Sequence, residues 1–507
     1  MDEIKEILPD DRYDIELLKN VYPSDWKNPE PAPMYNIVVI GAGSAGLVVA
    51  AGAASLGAKV ALIEKRLIGG DCLNLGCVPS KTIISSSRIT EEIREASGHG
   101  VRVICGAEAD FPLVMERMRR LRAKISRHDS AMRFREMGVD VFLGEGRFTG
   151  PDTVEVAGCS LRFKRAVIAT GARPLRIPVE GLDEAGYLTN ETVFNLTERP
   201  RRLAVLGGGA IGCELAQAFA RLGSEVVVLQ RGPRLMDKED PDASAIIHRT
   251  FERDGIRIIL GEWALNAVEV NGSEKLLHLE KGGEHDTVAV DELLVSVGRS
   301  PNVEGLGLDA AGVKSDPRNG IIVDDYLRTS NPRIYAAGDS CLMLKFTHTA
   351  DAAARIVLQN ALFGGRKRLS ALTVPWCTFT DPEVAHVGTY EHKAEKIGIP
   401  LDTFTVPFSE VDRAVLEGEE EGFVRVHVKK GTDQILGATI VARHAGDMIS
   451  ELTLAMQNGI GLKKISGVIH PYPTFAEAIR HVADQYNRTR LTPRVKKLFS
   501  RWLALHR

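Results

Sequence analysis

Apolar residues near the start of the chain follow a strand, turn and helix pattern. The stretch from Tyr35 to Ala58 has no charged residue and is long enough, by count alone, to span a bilayer. Its glycines argue against a membrane span, because YNIVVIGAGSAGLVVAAGAASLGAKVALIEK divides into a β-branched strand (NIVVI), a glycine-rich turn, a small-residue helix and a second strand (VALIE). The pattern therefore predicts a βαβ unit.

The same pattern returns further along the chain, with the strand LAVLG, the helix ELAQAFARLG and the strand VVVLQR. Strands and helices alternate through both stretches, whereas longer strands followed by helices come after PWCTFTDP. We therefore predict an α/β fold with two doubly wound, Rossmann-like dinucleotide-binding domains and a C-terminal α+β domain.

Both ends of the chain have patterns of their own. The N-terminal YPSDWKNPEPAP is rich in proline, which favours an extended segment. The C-terminal RVKKLFSRWLALHR combines a strongly basic face with apolar residues at helical spacing, namely Val495, Leu498, Phe499, Trp502 and Leu505. Such a helix can lie on an anionic membrane surface, but more often it packs on its own protein or on a second copy of it.

Composition narrows the class of protein. The chain has 507 residues, of which 44% are hydrophobic and 26% charged, as expected of two to four globular domains and not of a disordered or fibrous chain. A net charge of -3 gives no field that would attract nucleic acid. The acidic start, MDEIKEILPDDRYDIELL, lacks the pattern of a secretory signal, so we expect a cytoplasmic protein. Seven scattered cysteines do not form a secreted disulfide framework, and any disulfide here would be catalytic.

The first glycine-rich turn has the spacing Gly41-x-Gly43-x-x-Gly46, and the acidic Glu64 closes the next strand. Glycines at these positions let the backbone approach a pyrophosphate at a helix N-terminus, and the carboxylate can accept hydrogen bonds from a ribose diol. A spacing of this kind can also be an ordinary tight turn.

The second turn repeats the spacing with Gly207, Gly209 and Gly212, so two dinucleotides are expected. At the acidic position this copy has Gln230, followed by Arg231 and, nearby, Arg234. A missing acid beside an arginine suits a 2′-phosphate and favours NADPH over NADH. The alternative is that Arg231 is an ordinary surface cation.

Two cysteines, Cys72 and Cys77, lie in GGDCLNLGCVPSK. In an unbroken helix this spacing would put their Cα atoms about 8 Å apart, with the side chains diverging, so a disulfide would need an irregular start to the segment. Glycines allow that, and the helix could settle after Pro79. A metal site is the weaker alternative, because no second Cys/His cluster with zinc spacing lies nearby.

GGDCLNLGCVPSK resembles the redox-active disulfide segment of the flavin-dependent pyridine nucleotide-disulfide oxidoreductases, the family of glutathione reductase, dihydrolipoamide dehydrogenase and mercuric reductase. The resemblance extends from about residue 34 to residue 481 and includes RAVIATGARP, LLVSVGRSPN, RIYAAGDS and FTDPEVAHVG. It implies that NADPH delivers a hydride to FAD, that the flavin reduces the Cys72–Cys77 disulfide, and that the dithiol passes two electrons to an acceptor.

The resemblance also implies residue roles. Cys77 is expected against the flavin as the charge-transfer thiol and Cys72 as the interchange thiol that meets substrate, while Glu64 contacts the ribose of FAD and Asp339 its ribityl chain. Further roles follow by position: an ion pair near flavin N5 (Lys81 with Glu214), contact with the 2′-phosphate (Arg231), and cofactor contacts at Gly146, Thr170, Gly171 and Gly298. The remaining cysteines have no family role and are expected to be buried and inert, although Cys377 lies near the start of the interface domain.

The expected domain order follows from the resemblance. It comprises an N-terminal extension (1–33), an FAD-binding domain (34–184 and 312–370), an NAD(P)H-binding domain (185–311), an interface domain (371–485) and a basic amphipathic helix (486–507). In this family the interface domain builds a homodimer, and its final loop reaches the partner's disulfide. We therefore expect a composite active site and an inactive monomer.

The final loop here reads HPYPTFAE, residues 470–477. Aligned on the family's His-Pro-Thr-x-x-Glu, the histidine position is occupied by Tyr472, Glu477 keeps its place, and His470 falls two residues too early. Mercuric reductases resemble this chain in having tyrosine there. A tyrosine, with a pKa of about 10, cannot shuttle protons at neutral pH as an imidazole can.

Several acceptors stay open. Glutathione disulfide and lipoamide should be poor acceptors, because each expels a thiolate of high pKa. We therefore place another disulfide or an activated-sulfur acceptor first and Hg(II) second. Against mercury, no cysteine follows Cys377, whereas mercuric reductases end in a vicinal cysteine pair, and an N-terminal CxxC metal-binding module is missing. A dihydrolipoyl dehydrogenase is a further alternative, and a non-catalytic FAD-bound scaffold would require both cysteines to be idle.

Overall fold

The computed structural model describes residues 11–104, 106 and 108–507. Cys105 and the first ten residues of the N-terminal extension lie outside this range. The described chain divides into two compact units: the first comprises residues up to 207, 218–231 and 262–372, and the second comprises 208–217, 232–261 and 373–507.

The α-helices are distributed along the whole chain. In chain order they are α1 (Arg12–Val21), α2 (Ser44–Ser55), α3 (Gly70–Asn74), α4 (Cys77–Glu95), α5 (Phe111–Ser126), α6 (Ala131–Glu136), α7 (Leu182–Ala185), α8 (Ala210–Arg221), α9 (Pro241–Arg253), α10 (Thr347–Phe363), α11 (Glu391–Lys396), α12 (Asp412–Glu417), α13 (Ala445–Gln457), α14 (Leu462–Ile465), α15 (Glu477–Thr489) and α16 (Pro493–Leu505). Within the described ranges, no helix is long and apolar enough to cross a bilayer.

The strands alternate with these helices. They are β1 (Tyr35–Ile40), β2 (Val60–Glu64), β3 (Val139–Leu143), β4 (Gly146–Gly150), β5 (Thr153–Val156), β6 (Cys159–Ile168), β7 (Ala172–Pro174), β8 (Arg202–Leu206), β9 (Glu225–Gln230), β10 (Arg257–Leu260), β11 (Ala264–Asn271), β12 (Glu274–Lys281), β13 (Glu284–Val290), β14 (Glu292–Val295), β15 (Arg299–Pro301), β16 (Ser315–Asp316), β17 (Gly320–Ile321), β18 (Ile334–Ala336), β19 (Pro375–Thr378), β20 (Glu383–Gly388), β21 (Leu401–Pro407), β22 (Phe423–Lys429) and β23 (Ile435–Ala442).

The main sheet of the first unit has the order β3-β2-β1-β6-β5-β4, with β18 also paired to β6. Its central pairs are parallel, and β5 joins both β4 and β6 in antiparallel fashion. The buried run of β1 matches the apolar stretch from which it was predicted, and β2 has the predicted residues. Parallel strands covered on both faces read as continuous apolar runs, which is why the sequence signal was clear.

The second predicted βαβ unit is also present. β8 pairs in parallel with β9 and β14, so the repeat of strand, helix and strand has the doubly wound connection. Three antiparallel strands, β11-β12-β13, form a separate small sheet in the same unit. These elements confirm the predicted α/β class.

The N-terminal extension is part of the first unit. The sequence predicts an extended segment, and residues 22–34 indeed have neither helix nor strand. The preceding helix α1 was not predicted. Leu17 and Val21 of α1 are fully buried in the core around β1 and β2. Trp26 Nε1 donates to the Val141 carbonyl and Asn28 pairs with the backbone of Leu143, so the segment is attached along β3.

The second unit contains the C-terminal α+β elements. Its antiparallel sheet has the order β19-β20-β23-β22-β21, with α13 and α15 packed against it. The predicted C-terminal helix is present as α16, and its Leu498, Phe499, Trp502 and Leu505 are between 52% and 81% exposed within one chain. Of the two expected partners, the chain itself does not cover these side chains, and packing on a second copy stays a prediction.

Candidate functional site

The first glycine-rich turn is shaped for a close backbone approach. Gly41 has φ +102°, and a Cβ there would lie 2.2 Å from the Ala169 carbonyl oxygen. A Cβ on Gly46 would lie 1.8 Å from the Gly41 oxygen, so neither position accepts a side chain. Gly43 caps α2 without a side-chain bond, which leaves the N–H groups of the first turn to an anionic ligand. This cradle fits the pyrophosphate of FAD.

Glu64 closes β2 beside this turn, where sequence reasoning put the ribose contact. Its carboxylate accepts hydrogen bonds from the backbone N–H groups of Ala42 (2.7 Å) and Arg66 (2.8 Å). Burial raises the pKa of Glu64, while these two bonds act in the opposite direction. Each carboxylate oxygen keeps a second lone pair, so Glu64 can still accept from a ribose hydroxyl.

The two cysteines lie on either side of a helix break. Cys72 belongs to α3, which ends at Asn74, and Cys77 is the first residue of α4. The predicted interruption is therefore present, but the helix resumes at Cys77 and not after Pro79. Pro79 fits the first turn of α4 because the N–H groups there have no intrahelical partner.

The break brings the two thiols together. The side chains of Cys72 and Cys77 are hydrogen-bonded to each other, and this bond, followed by burial, raises the pKa of Cys72 above its ordinary range. Both are thiols in this structure. The Cys77 Sγ also lies 3.5 Å from Oγ1 of Thr347, the first residue of the 17-residue helix α10. The positive end of a helix favours a thiolate at this place.

The redox segment, residues 69–81, packs directly on the first glycine-rich turn, residues 41–46, called here the dinucleotide turn. The N–H of Gly69 donates to the Ala42 carbonyl (2.8 Å), and a Cβ on Gly70 would lie 2.7 Å from the Cα of Gly43. Glycine at position 70 is thus required by the contact between two backbones. The cysteine pair and the cradle for FAD therefore form one site within the first unit.

Arg299, a half-buried residue that was not among the predicted site residues, lies beside this site. Arg299 Nη2 bonds Asp71 and donates to the Ala172 carbonyl (2.7 Å), and Arg299 Nε lies 3.6 Å from Oδ2 of Asp339. Burial raises the pKa of Asp339, and Arg299 and Lys345 oppose that rise. Asp71 and Arg299 both lie in motifs named above, Asp71 in GGDC and Arg299 in VGRSPN, but only the fold brings them together.

The other residues expected to contact a cofactor make hydrogen bonds, adopt positive φ angles or pack closely within the described chain. Thr170 Oγ1 donates to the Asn302 carbonyl (2.7 Å), and the Asn302 side chain donates back to the Thr170 carbonyl (2.9 Å). Gly171 and Gly298 have φ of +69° and +136°. Gly146 begins β4 where a Cβ would meet side chains of β1 and β2 at 3.0–3.3 Å. Their cofactor contacts stay predictions.

The second glycine-rich turn has a similar geometry. Gly207 has φ +111°, and a Cβ there would lie 2.7 Å from the Ser296 carbonyl oxygen, while Gly209 has open space around it. Arg231 is exposed just after β9, which suits contact with a 2′-phosphate as well as the role of a surface cation. Glu214 is buried and accepts from the Phe379 N–H (2.9 Å). Its ion pair with Lys81 stays a prediction, as does the part of Gly212.

The final loop, residues 470–477, has its polar side chains bonded within the chain. Tyr472 is 70% exposed, and its hydroxyl donates to Oδ2 of Asp412 (2.8 Å), whereas Glu477 accepts from Arg480 (3.0 Å). Within one chain the acceptor for the Tyr472 hydroxyl is therefore Asp412 on α12, and the part of Glu477 in catalysis stays a prediction. His470 is bonded to Glu451 through Nε2 (3.1 Å) and to the Val468 carbonyl through Nδ1 (3.2 Å), so both ring nitrogens are engaged.

The remaining cysteines are not uniformly buried. Cys213 is fully buried, and burial raises its pKa and that of Cys341, the latter to about 12, as expected of inert thiols. Cys159, Cys341 and Cys377 are only half-buried, so the expectation of full burial is wrong for these three. Across the described ranges, no group of three or more His, Cys, Asp or Glu side chains could hold a metal ion.

Comparison with known proteins agrees with this site. The family described as pyridine nucleotide-disulphide oxidoreductase matches residues 35–354, and its dimerisation domain matches residues 374–483. A mercuric reductase from Staphylococcus aureus is 36% identical over 90% of this chain and 83% of its own length. A dihydrolipoyl dehydrogenase from Chlamydia muridarum is 36% identical over 87% of this chain and 95% of its own length.

Solved structures show the same similarity. The HOCl-induced flavoprotein disulfide reductase RclA from Escherichia coli has a TM-score of 0.79 at 27% identity, covering 89% of this chain and 99% of its own. LpdA from Mycobacterium tuberculosis has a TM-score of 0.81 at 28% identity, covering 89% and 99%. The resemblance found in the sequence is confirmed: the chain is a member of the pyridine nucleotide-disulphide oxidoreductase family, whose members use FAD and NAD(P)H.

Proposed function

We propose that this protein is an NADPH-dependent reductase that passes two electrons through a Cys72–Cys77 disulfide to a disulfide or activated-sulfur acceptor. The observation that carries the proposal is the adjacency of the two thiols in a segment packed on the dinucleotide turn. FAD, held at the first glycine-rich turn by the backbone around Gly41, Gly43 and Gly46, would supply the transfer of reducing equivalents from the nicotinamide to the disulfide, which side chains alone cannot perform.

The thiol environment supports different roles for the two cysteines. The pKa of Cys72 is raised, first by its hydrogen bond to Cys77 and then by burial. Cys77 Sγ lies 3.5 Å from Thr347 Oγ1 at the N-terminus of α10, where the positive end of the helix favours a thiolate. This agrees with Cys77 as the thiolate beside the flavin and Cys72 as the thiol that meets the acceptor.

The sulfur chemistry then runs in two exchanges. Cys72, once deprotonated, attacks the acceptor sulfur; a new S–S bond forms, the acceptor's own bond breaks, and its leaving group departs with the electron pair. The Cys77 thiolate next attacks Cys72 Sγ, which restores the disulfide and releases the second reduced sulfur. The acceptor gains two electrons, and the two protons of the dithiol accompany the products.

Tyr472 bears on the choice of acceptor. Its bond to Asp412 raises its pKa above the ordinary tyrosine value, which makes it a still weaker proton donor at neutral pH. A dialkyl disulfide expels a thiolate that needs protonation, whereas an activated sulfur expels a stable leaving group. We therefore place activated-sulfur acceptors ahead of glutathione disulfide and lipoamide.

Reduction of Hg(II) is the second candidate. The tyrosine at the loop position and the 36% identity to a mercuric reductase favour it, and Hg(II) needs no acid catalyst because it binds to thiolates directly. A dihydrolipoyl dehydrogenase has similar overall identity, but its reaction would need a base that Tyr472 does not provide. A non-catalytic scaffold would leave unexplained why two thiols meet at the cofactor turn.

We propose that the enzyme works as a homodimer in which the loop 470–477 of one subunit completes the site around Cys72 of the other. The match of the dimerisation domain supports the homodimer. The exposed apolar side chains of α16 suit a second copy of the chain or, less strongly, an anionic membrane surface. The cytoplasmic location stays a prediction.

An acceptor panel tests the proposal. The FAD-loaded dimer is assayed anaerobically with NADPH and lipoamide, glutathione disulfide, polysulfide, Hg(II) or a quinone. We expect polysulfide or another activated sulfur to turn over faster than lipoamide and glutathione disulfide. Fast lipoamide turnover would overturn the proposed acceptor class, and full activity in both Cys72→Ser and Cys77→Ser would overturn the dithiol chemistry itself.

A further inference from the structure

Helix α1 lies outside the residues that match the family, which begin at residue 35, but it contacts the redox segment. The Val21 carbonyl, at the end of α1, accepts a hydrogen bond from the N–H of Ile68 (3.2 Å), directly before the glycines that lead to Cys72. Leu17 and Val21 are fully buried. The extension is therefore packed beside the cysteine segment as part of the same core.

A fully buried ion pair extends this contact. Asp14 of α1 accepts a 2.8 Å hydrogen bond from Nη2 of Arg122, and the two side chains are 2% and 0% exposed. Arg122 Nη1 donates to the Asn74 carbonyl (3.0 Å). A buried guanidinium requires a counter-charge, and Asp14 is the carboxylate in contact with it.

The Asn74 carbonyl is the acceptor that the helix break would leave without a partner. In an unbroken helix it would accept from the N–H four residues later, but α3 ends at Asn74 and α4 begins at Cys77. Arg122 supplies the missing donor, and Asn190 Nδ2 does the same for the Leu75 carbonyl (3.3 Å). The Asn74 side chain donates to the Ile68 and Gly70 carbonyls, which fixes the other side of the break.

We propose that Asp14 is a positioning residue for the Cys72–Cys77 pair: by holding Arg122 on the Asn74 carbonyl, it fixes the break that brings the two thiols together. The inference rests on the proposed dithiol function. A disulfide forms only within a narrow range of Cα and Cβ separations, whereas two separate thiols are free of that restriction. Loosening the break therefore shifts the equilibrium between disulfide and dithiol toward the dithiol.

The test compares Asp14→Asn with the double variant Asp14→Leu/Arg122→Met, which removes both charges and leaves no buried ion unpaired. Glu16→Gln is the matched control, since Glu16 lies on the same helix and bonds Arg127 at the surface (3.1 Å). Each FAD-loaded protein is equilibrated in buffers of reduced and oxidised dithiothreitol. The fraction of Cys72 and Cys77 present as thiols is then trapped by alkylation and measured by peptide mass.

We expect Asp14→Asn and the double variant to shift the equilibrium constant toward the dithiol by about tenfold, and Glu16→Gln to stay within about twofold of the unmodified protein. If both variants unfold more easily but keep the same constant, the pair only stabilises the fold and the inference is wrong. An equal shift in Glu16→Gln would also overturn it. If Asp14→Asn does not fold, the double variant decides. If Cys72 and Cys77 of the unmodified protein never form a disulfide, the proposed function fails, and this inference with it.

Discussion

The Tyr472 hydroxyl donates a 2.8 Å hydrogen bond to Oδ2 of Asp412. Asp412 begins α12, sixty residues earlier in the chain, and no motif of the sequence pointed to it. Because the Tyr472 hydroxyl already donates its proton to a carboxylate, the residue at the family's histidine position is a weak acid whose hydrogen bond is already used. This contact distinguishes the loop from one that carries an imidazole.

Tyr472→His should raise kcat/KM for glutathione disulfide or lipoamide by about a hundredfold, because a positioned imidazole can protonate the departing thiolate. The measurement is steady-state turnover with NADPH, and activated-sulfur turnover should change far less. Tyr472→Phe is the control, since it keeps the ring and removes the hydroxyl. An unchanged rate in Tyr472→His would return His470 to consideration.

Asp412→Asn should lower the pKa of Tyr472 toward the ordinary tyrosine value, because the bond to Asp412 is the first cause of its rise. The measurement is an ultraviolet difference titration in which Tyr472→Phe identifies the signal of this tyrosine. A pKa unchanged by Asp412→Asn would mean that the hydroxyl bonds another group in the dimer.

Cys77→Ser should lower the pKa of Cys72, because the hydrogen bond and the charge of Cys77 raise it. Alkylation of Cys72, followed by peptide mass as a function of pH, should begin at lower pH than in the reduced unmodified protein. Thr347→Ala should act in the opposite direction, since Thr347 lowers the pKa of Cys72. If both variants gave the same pH profile as the unmodified protein, the two thiols would not be coupled.

Arg231→Ala should raise KM for NADPH by about tenfold and leave KM for NADH nearly unchanged, because only NADPH has the 2′-phosphate that the guanidinium would bind. Arg234→Ala is the matched control, as Arg234 donates to the Asp237 carbonyl within its own turn (3.0 Å). Equal kinetics with the two coenzymes in the unmodified protein would remove the NADPH assignment.

His386→Gln should flatten the pH dependence of stability in mild acid. Burial lowers the pKa of His386 to about 3, and its two nitrogens bond Thr439 and the Gly388 carbonyl. The unfolded state therefore binds a proton near pH 6.5 that the folded state refuses, so stability falls as pH drops from about 6.5 to 3. Urea unfolding across this range should show a smaller slope in the variant, whereas His285→Gln, at an exposed position, should not alter it.

The sequence by itself determined the two βαβ units, the α/β class and the family. Strands such as β1 and β2 are continuous apolar runs because they are buried on both faces, and Gly41 is visible because only glycine allows its backbone to approach Ala169. The cysteine pair was identified through the resemblance of GGDCLNLGCVPSK to the redox segment of the family, and its spacing predicted an interrupted helix. Each of these features leaves a pattern in consecutive residues, such as an apolar run or a fixed glycine spacing, and such local patterns can be read from the sequence.

Only the tertiary structure decided which polar groups meet across long separations. Three such pairs are far apart in sequence and linked by no periodicity, namely Asp14 with Arg122, Asp71 with Arg299, and Tyr472 with Asp412. Polar groups pair wherever the fold brings a donor within bonding distance of an acceptor, so their pairing is set by the tertiary structure and not by sequence spacing. For this reason the sequence identified the redox thiols, whereas the fold identified the residues that hold them in place.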